Sequence, residues 1–157
     1  MAKTIEVRSD SFVDGGFIPR EHTGEGSEIS PQLSWDDMDG VRSWVLIADD
    51  PDAPEETYVH WVVFDLPAHK TSLPAGASGN KELLEGGVEG VNSSGQPGYI
   101  GPYPPSGTHR YYFRVSGLDS PLGLAEGATK EQVLSEIEKH KKITEGQIMG
   151  RYTLQGQ

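Results

Sequence analysis

Residues 101–111 read Gly-Pro-Tyr-Pro-Pro-Ser-Gly-Thr-His-Arg-Tyr. Three prolines and two glycines among the first seven fix a stiff loop that is neither helix nor central strand. That loop delivers His109 to the mouth of an apolar, aromatic run, Arg110-Tyr-Tyr-Phe-Arg-Val-Ser116, which reads as a strand. A second Pro-interrupted segment, Asp49-Asp-Pro-Asp-Ala-Pro54, has His60 six residues beyond it, at the head of another strand-like run, Tyr58 to Leu66. Period-two geometry puts His109, Tyr111 and Phe113 on one strand face. It groups His60 with Val62 and Phe64, opposite Trp61 and Val63. Each histidine is the first polar residue of a face that turns apolar, where a pocket mouth would lie.

Working outward, Thr4 to Val7 alternates like a half-buried strand, and residues 11–30 read as an extended loop. Leu33 to Trp35 is a short strand. Ser43 to Ala48 is a continuous apolar run, the mark of a strand buried on both faces. The acidic stretch from Asp49 to Thr57 reads as loop. Residues 68–100 are long for a structureless connection, so short helical or strand pieces are expected within them. One convincing helix starts at Thr129, where Thr-Lys-Glu-Gln is a capping-box pattern. Val133, Leu134, Ile137 and Lys141 mark one face, and the basic residues 139–142 sit near its C-terminal end. Gly146 to Leu154 returns as a strand. Trp35, Trp44, Trp61 and Phe64 are expected in the core. The pattern points to an all-β fold, an antiparallel β-sandwich with Greek-key connections, one C-terminal helix and short helical turns, in a single domain over residues 1–157.

Composition narrows function. Thirteen basic against twenty-four acidic residues give a net charge of −11, which opposes binding to nucleic acid or an anionic membrane surface. There is no cysteine, so no disulfide, thiolate nucleophile or cysteine metal site. No apolar run resembles a signal peptide or a membrane span, and a cytoplasmic location is expected. Asp50 and Asp52 invite a calcium loop, but Pro54, Glu55 and Trp61 occupy its fifth, sixth and twelfth places.

Asp50-Pro-Asp-Ala-Pro54, His60-Trp61 and residues 101–111 together resemble the phosphatidylethanolamine-binding protein family, specifically its short bacterial and archaeal branch, the Raf kinase inhibitor-like proteins. The resemblance runs through Ile29-Ser-Pro-Gln-Leu-Ser-Trp35 and Gly98-Tyr99 to Gly150-Arg-Tyr152. Glu28, Ser94 and Tyr103 depart from it, standing where asparagine, an aromatic and cysteine are common. The resemblance implies a pocket for phosphate or phosphoryl head groups lined by Asp50, His60, His109 and Tyr111. Its walls would be Pro51, Asp52, Pro54, Gly101 and Pro102. It also implies a non-catalytic, regulatory homodimer whose partner is a kinase, protease or phosphoprotein, with no cofactor and no metal. Two imidazoles and a phenol are sensible donors to an anion; an ionised Asp50 is an acceptor, suited to orienting a histidine, and the other roles open to it are to carry a proton itself or to pair with a cationic head group such as ethanolamine. A hydrolase-like enzyme or a metal-binding protein built on Asp50, His60 and His109 are the alternatives.

Overall fold

The computed structural model describes residues 3–155. Four long strands carry the structure: β4 (Ser43–Asp50), β5 (Tyr58–Pro67), β8 (Thr108–Leu118) and β9 (Lys142–Thr153). With β1 (Lys3–Thr4) and β7 (Val88–Glu89) they form a six-stranded sheet in the order β1-β9-β8-β4-β5-β7. A three-stranded sheet, β2-β3-β6, is made of Val7–Arg8, Leu33–Trp35 and Ser72–Leu73. Pairing is antiparallel except between β1 and β9, which is parallel. The connection from β7 to β8 crosses β5 and β4 and sets β8 on the far side of β4.

The main core lies between the sheets. Leu33, Trp35 and Leu73 from the small sheet meet Trp44, Leu46, Trp61, Val63, Tyr111 and Phe113 from the large one. A second cluster lies on the other face of the large sheet, where α2 (Lys130–Ile137) seats Val133 and Ile137 against Val45, Ile47, Val62 and Phe64. All eight residues of β4 are therefore buried, as its unbroken apolar run predicts. Burying a side chain such as Val133 stabilises by about 1.5–3 kcal/mol. Trp35, Trp44, Trp61 and Phe64 are all core.

Four local expectations are corrected. Thr4 to Val7 is not one strand. The chain pairs with β9 through Lys3 and Thr4, then crosses to the small sheet at Val7. Asp49 and Asp50 belong to β4 rather than to the following loop, because each carboxylate is itself buried and is met there by a partner, Arg114 and Lys130 for Asp49 and His109 for Asp50. α2 starts with the expected capping box between Thr129 and Gln132 but stops at Ile137. Asp119 donates its N–H to the Lys141 carbonyl and accepts the Lys141 N–H, drawing the chain out of the helix toward β9. Lys141 is thus outside the helix, and Leu134 is 44% exposed. Residues 68–100 do hide short pieces: β6, β7 and a helical turn, α1 (Lys81–Leu84).

The fourth correction concerns His60. The ladder between β4 and β5 shifts register: Ala48 pairs with Trp61, and Asp49 with Val59. His60 is the extra residue of a β-bulge, which re-aims a side chain. Its ring lies 5.0 Å from that of Tyr58 and 5.2 Å from that of Tyr111. It therefore shares the inter-sheet face with Trp61 and Val63, not the outer face with Val62 and Phe64.

Candidate functional site

The bulge turns His60 toward the ends of β4 and β8, and there the predicted residues meet. A cavity of about 250 Å³ is lined by Asp50, His60, His109 and Tyr111, with Tyr58, Ala53, Pro54, Ile100, Gly101, Tyr103, Pro104 and Pro105 as walls. Larger clefts, of about 770 and 560 Å³, lie elsewhere, but neither gathers histidines. Chemistry rather than size singles out the smaller one.

Asp50 is 4% and His109 7% exposed, and His109 Nδ1 donates to Asp50 Oδ2 across 2.6 Å. The other oxygen, Oδ1, accepts the backbone N–H of Asp52 at 2.7 Å. A carboxylate fixing one ring nitrogen sets the tautomer and leaves Nε2 for a ligand. It also compensates the positive charge when Nε2 is protonated.

His60 is held by one residue at two points. Its carbonyl accepts the Ile100 N–H at 2.9 Å, and its Nδ1 donates to the Ile100 carbonyl at 2.6 Å. The pKa of His60 is lowered from 6.5, because burial outweighs the Ile100 bond and the negative charges of Asp50, Asp49 and Glu28. At neutral pH the ring is uncharged, and Nε2 carries a lone pair. Burial, with Asp50, Asp52 and Tyr152 nearby, pushes the Tyr111 phenol up, so it stays a neutral O–H donor.

Two loops hold the walls. The Gly24 N–H donates to the Pro102 carbonyl at 2.9 Å, and the Tyr99 hydroxyl to the His22 carbonyl at 2.6 Å. Glu28, in the left-handed backbone region at φ 60°, accepts the Gly101 N–H at 3.0 Å. On the opposite wall Asp52 turns outward. It takes Nε and Nη2 of Arg110 at 2.9 and 2.8 Å and the Arg110 N–H at 2.9 Å. The Arg110 guanidinium, chiefly through these bonds, holds the Asp52 carboxyl down at about 2.

Of the expected walls, Pro54 and Gly101 line the cavity. Pro51, Asp52 and Pro102 do not. Pro51 faces solvent, Asp52 is turned to Arg110, and Pro102 is buried against the segment around Gly24. Sequence reasoning missed Tyr58, Ile100, Pro104 and Pro105 as lining, while Tyr103 was expected to alter the rim. Tyr58 stands two residues before His60, so alternation along the strand was a signal that could have found it. Ser94 lies outside the cavity, its N–H and hydroxyl both donating to Asn92. Among the described residues no cluster of three or more His, Cys, Asp or Glu side chains has metal-site geometry. No helix there is long and apolar enough to cross a membrane.

Residues 8–153 match the phosphatidylethanolamine-binding protein family. The chain belongs to that family. Among its relatives is the UPF0098 protein of Methanothermobacter thermautotrophicus, 44% identical over 149 residues, which are 94% of this chain and 98% of the relative. The UPF0098 protein of Aquifex aeolicus is 42% identical over 153 residues, 94% of this chain and 88% of its own. Escherichia coli YbcL, whose crystal structure is described as that of a new member of the mammalian PEBP family, superposes with a TM-score of 0.88. It is 29% identical, and the match covers 96% of this chain and 99% of YbcL. The family assignment and the mostly β architecture agree.

Proposed function

We propose that the cavity binds a phosphate or phosphoryl head group, without catalysis, as the reading element of a regulatory protein. The observation that carries this is the buried His109–Asp50 pair at 2.6 Å, set beside His60 and Tyr111 in a space of about 250 Å³. Ligand pockets for larger molecules run to roughly 300–1,000 Å³, so this one suits a head group with the rest of its carrier outside. With Nδ1 committed to Asp50, His109 would meet a phosphate oxygen through Nε2–H in its imidazolium form, and the Tyr111 hydroxyl is a second donor. Neutral His60 suits a P–OH, accepting its proton through Nε2. The lining contains no Ser, Thr, Cys or Lys, which supports binding over covalent chemistry. A kinase, protease or phosphoprotein presenting such a group is the proposed partner.

Titration calorimetry with inorganic phosphate tests the reading. His109→Ala is expected to cost about 1.5–3 kcal/mol of binding, the scale of a hydrogen bond to a charged group. Absence of phosphate binding, or equal affinity in the variant, overturns the proposal.

The depressed pKa of His60 sets two opposite pH dependences. In the unfolded chain the imidazole titrates near 6.5, and in the folded chain lower. The unfolded state therefore takes up the proton first. His60 contributes full stability above about pH 6.5, and this is lost as pH falls toward the folded value. A bound anion favours the imidazolium, so phosphate affinity rises over the same descent. Phosphate should consequently protect the protein most at mildly acidic pH. Thermal melts with and without phosphate at pH 5.5 and 7.5 check this, and an equal increment at both would contradict it.

A further inference from the structure

Away from the cavity, where β8 leaves the large sheet and α2 ends, three side chains stand in a line. Ser120 Oγ lies 2.6 Å from His140 Nδ1, and His140 Nε2 lies 3.2 Å from Glu136 Oε2. A carboxylate oxygen only accepts, so Nε2 carries a hydrogen, and in the neutral tautomer that this selects Nδ1 is the unprotonated nitrogen. Nδ1 then offers its lone pair to the Ser120 hydroxyl. Ser120 has a competing acceptor in Asp119 Oδ1, but at 3.4 Å it is the weaker one. Nucleophile, base and orienting carboxylate are thus joined in the order that activates a serine.

The backbone holds this arrangement. The Ser43 hydroxyl, from a residue 1% exposed in β4, donates to the Ser120 carbonyl at 2.9 Å. Asp119 and Lys141 exchange two hydrogen bonds, tying the serine's segment to the histidine's. His140 is anchored by its own N–H to the Ile137 carbonyl at 2.9 Å. The side chains of His140 and Glu136 are 19% and 23% exposed, sheltered yet within reach of a small reagent. Among the described residues the Ser120 amide makes no hydrogen bond, leaving a donor beside the nucleophile for a developing oxyanion. A groove of about 550 Å³ lies next to the cluster and shares Glu136 with it, though Ser120 and His140 stand outside its lining.

We propose that Ser120 is an activated nucleophile toward small activated acyl esters, with His140 as general base and Glu136 as positioning residue. In the step, Ser120 Oγ bonds to the acyl carbon, and the bond from that carbon to the leaving aryl oxide breaks. The serine proton passes to His140 Nδ1 and then to the departing oxide. Water repeats the sequence on the acyl-serine, releasing the acid and restoring the hydroxyl. This chemistry is independent of anion binding at Asp50 and His109.

Incubation with p-nitrophenyl acetate, and separately with a fluorophosphonate, followed by intact-mass and peptide mass spectrometry, tests it. A single adduct on Ser120 is expected, absent in Ser120→Ala. The labelling rate should fall about 100-fold in His140→Gln, the usual scale for a lost general base. A several-fold fall is expected in Glu136→Gln, which retains the side chain's size and gives the test a second variant should His140→Gln fold poorly. The wild-type rate should rise with pH along a one-proton curve that flattens in His140→Gln. No adduct on Ser120, or labelling at wild-type rate and with wild-type pH dependence in both base-side variants, overturns the proposal.

Discussion

Asp50→Ala is expected to lower folding stability by about 3 kcal/mol and to abolish measurable phosphate binding. The carboxylate serves two buried donors at once, His109 Nδ1 and the Asp52 N–H. Removing one member of a buried hydrogen-bonded pair costs roughly 3–5 kcal/mol, because the other is left without its partner. Asp50→Asn separates charge from shape. The amide has a single acceptor oxygen for two donors, so either His109 or the Asp52 amide faces an N–H. It should fall between wild type and alanine in stability while losing most of the binding. Urea denaturation at constant slope, with calorimetry on each variant, measures both effects. An Asp50→Ala protein destabilised by less than 1 kcal/mol would show that the pair does not organise this end of the sheet.

The second large effect belongs to a residue without a side chain. A Cβ on Gly101 would sit 2.7 Å from the His22 carbonyl oxygen and 2.9 Å from Thr23 backbone atoms. Backbone cannot swing aside, so Gly101→Ala must push the wall loop away from the segment that braces it. Overpacking of this kind costs about 1–3 kcal/mol. At roughly 2–4 °C per kcal/mol, the melting temperature drops by several degrees. Because Gly101 itself lines the cavity, phosphate affinity should fall as well. Gly107→Ala is the control. Its site has nothing within 4 Å but a φ of +66°, so the methyl brings backbone strain with no collision. That variant should lose about 1 kcal/mol and keep its affinity; equal losses of affinity in the two would refute the wall argument.

Much of the site was legible because Pro and Gly punctuate it. Residues 101–111 announced a stiff loop, and His109 with Tyr111 followed by simple alternation along β8. Asp50 and His60 were readable as types. Their geometry was not, since a one-residue bulge has no mark in composition. Alternation carried back from Phe64 and Val62 assigns His60 to the wrong face, and only the ladder with β4 corrects it. Tyr103 was legible as a departure from the family pattern that would alter the pocket rim, and it does line the cavity. Helix α2 was legible at its start, where capping chemistry is local, and not at its end. There the stop comes from Asp119, 22 residues earlier in the chain. Two-residue strands such as β6 and β7 are defined by what they pair with, and no window that short carries a period.

The crossing of residues 3–8 from one sheet to the other has a consequence for how the chain is made. Lys3 and Thr4 pair with Thr144 and Glu145, and Thr144 Oγ1 donates to the Lys3 carbonyl. Asp14 likewise accepts the N–H of Met149, and Phe17 bridges Arg151. Chains emerge from the ribosome at roughly 5–20 residues per second, first residues first. Lys3 is therefore made 141 residues before its partner Thr144 and must wait for it before its edge is covered. Until Thr144 and Glu145 have been made, residues 3 and 4 stay an open flap, and only then does the large sheet gain this outermost strand.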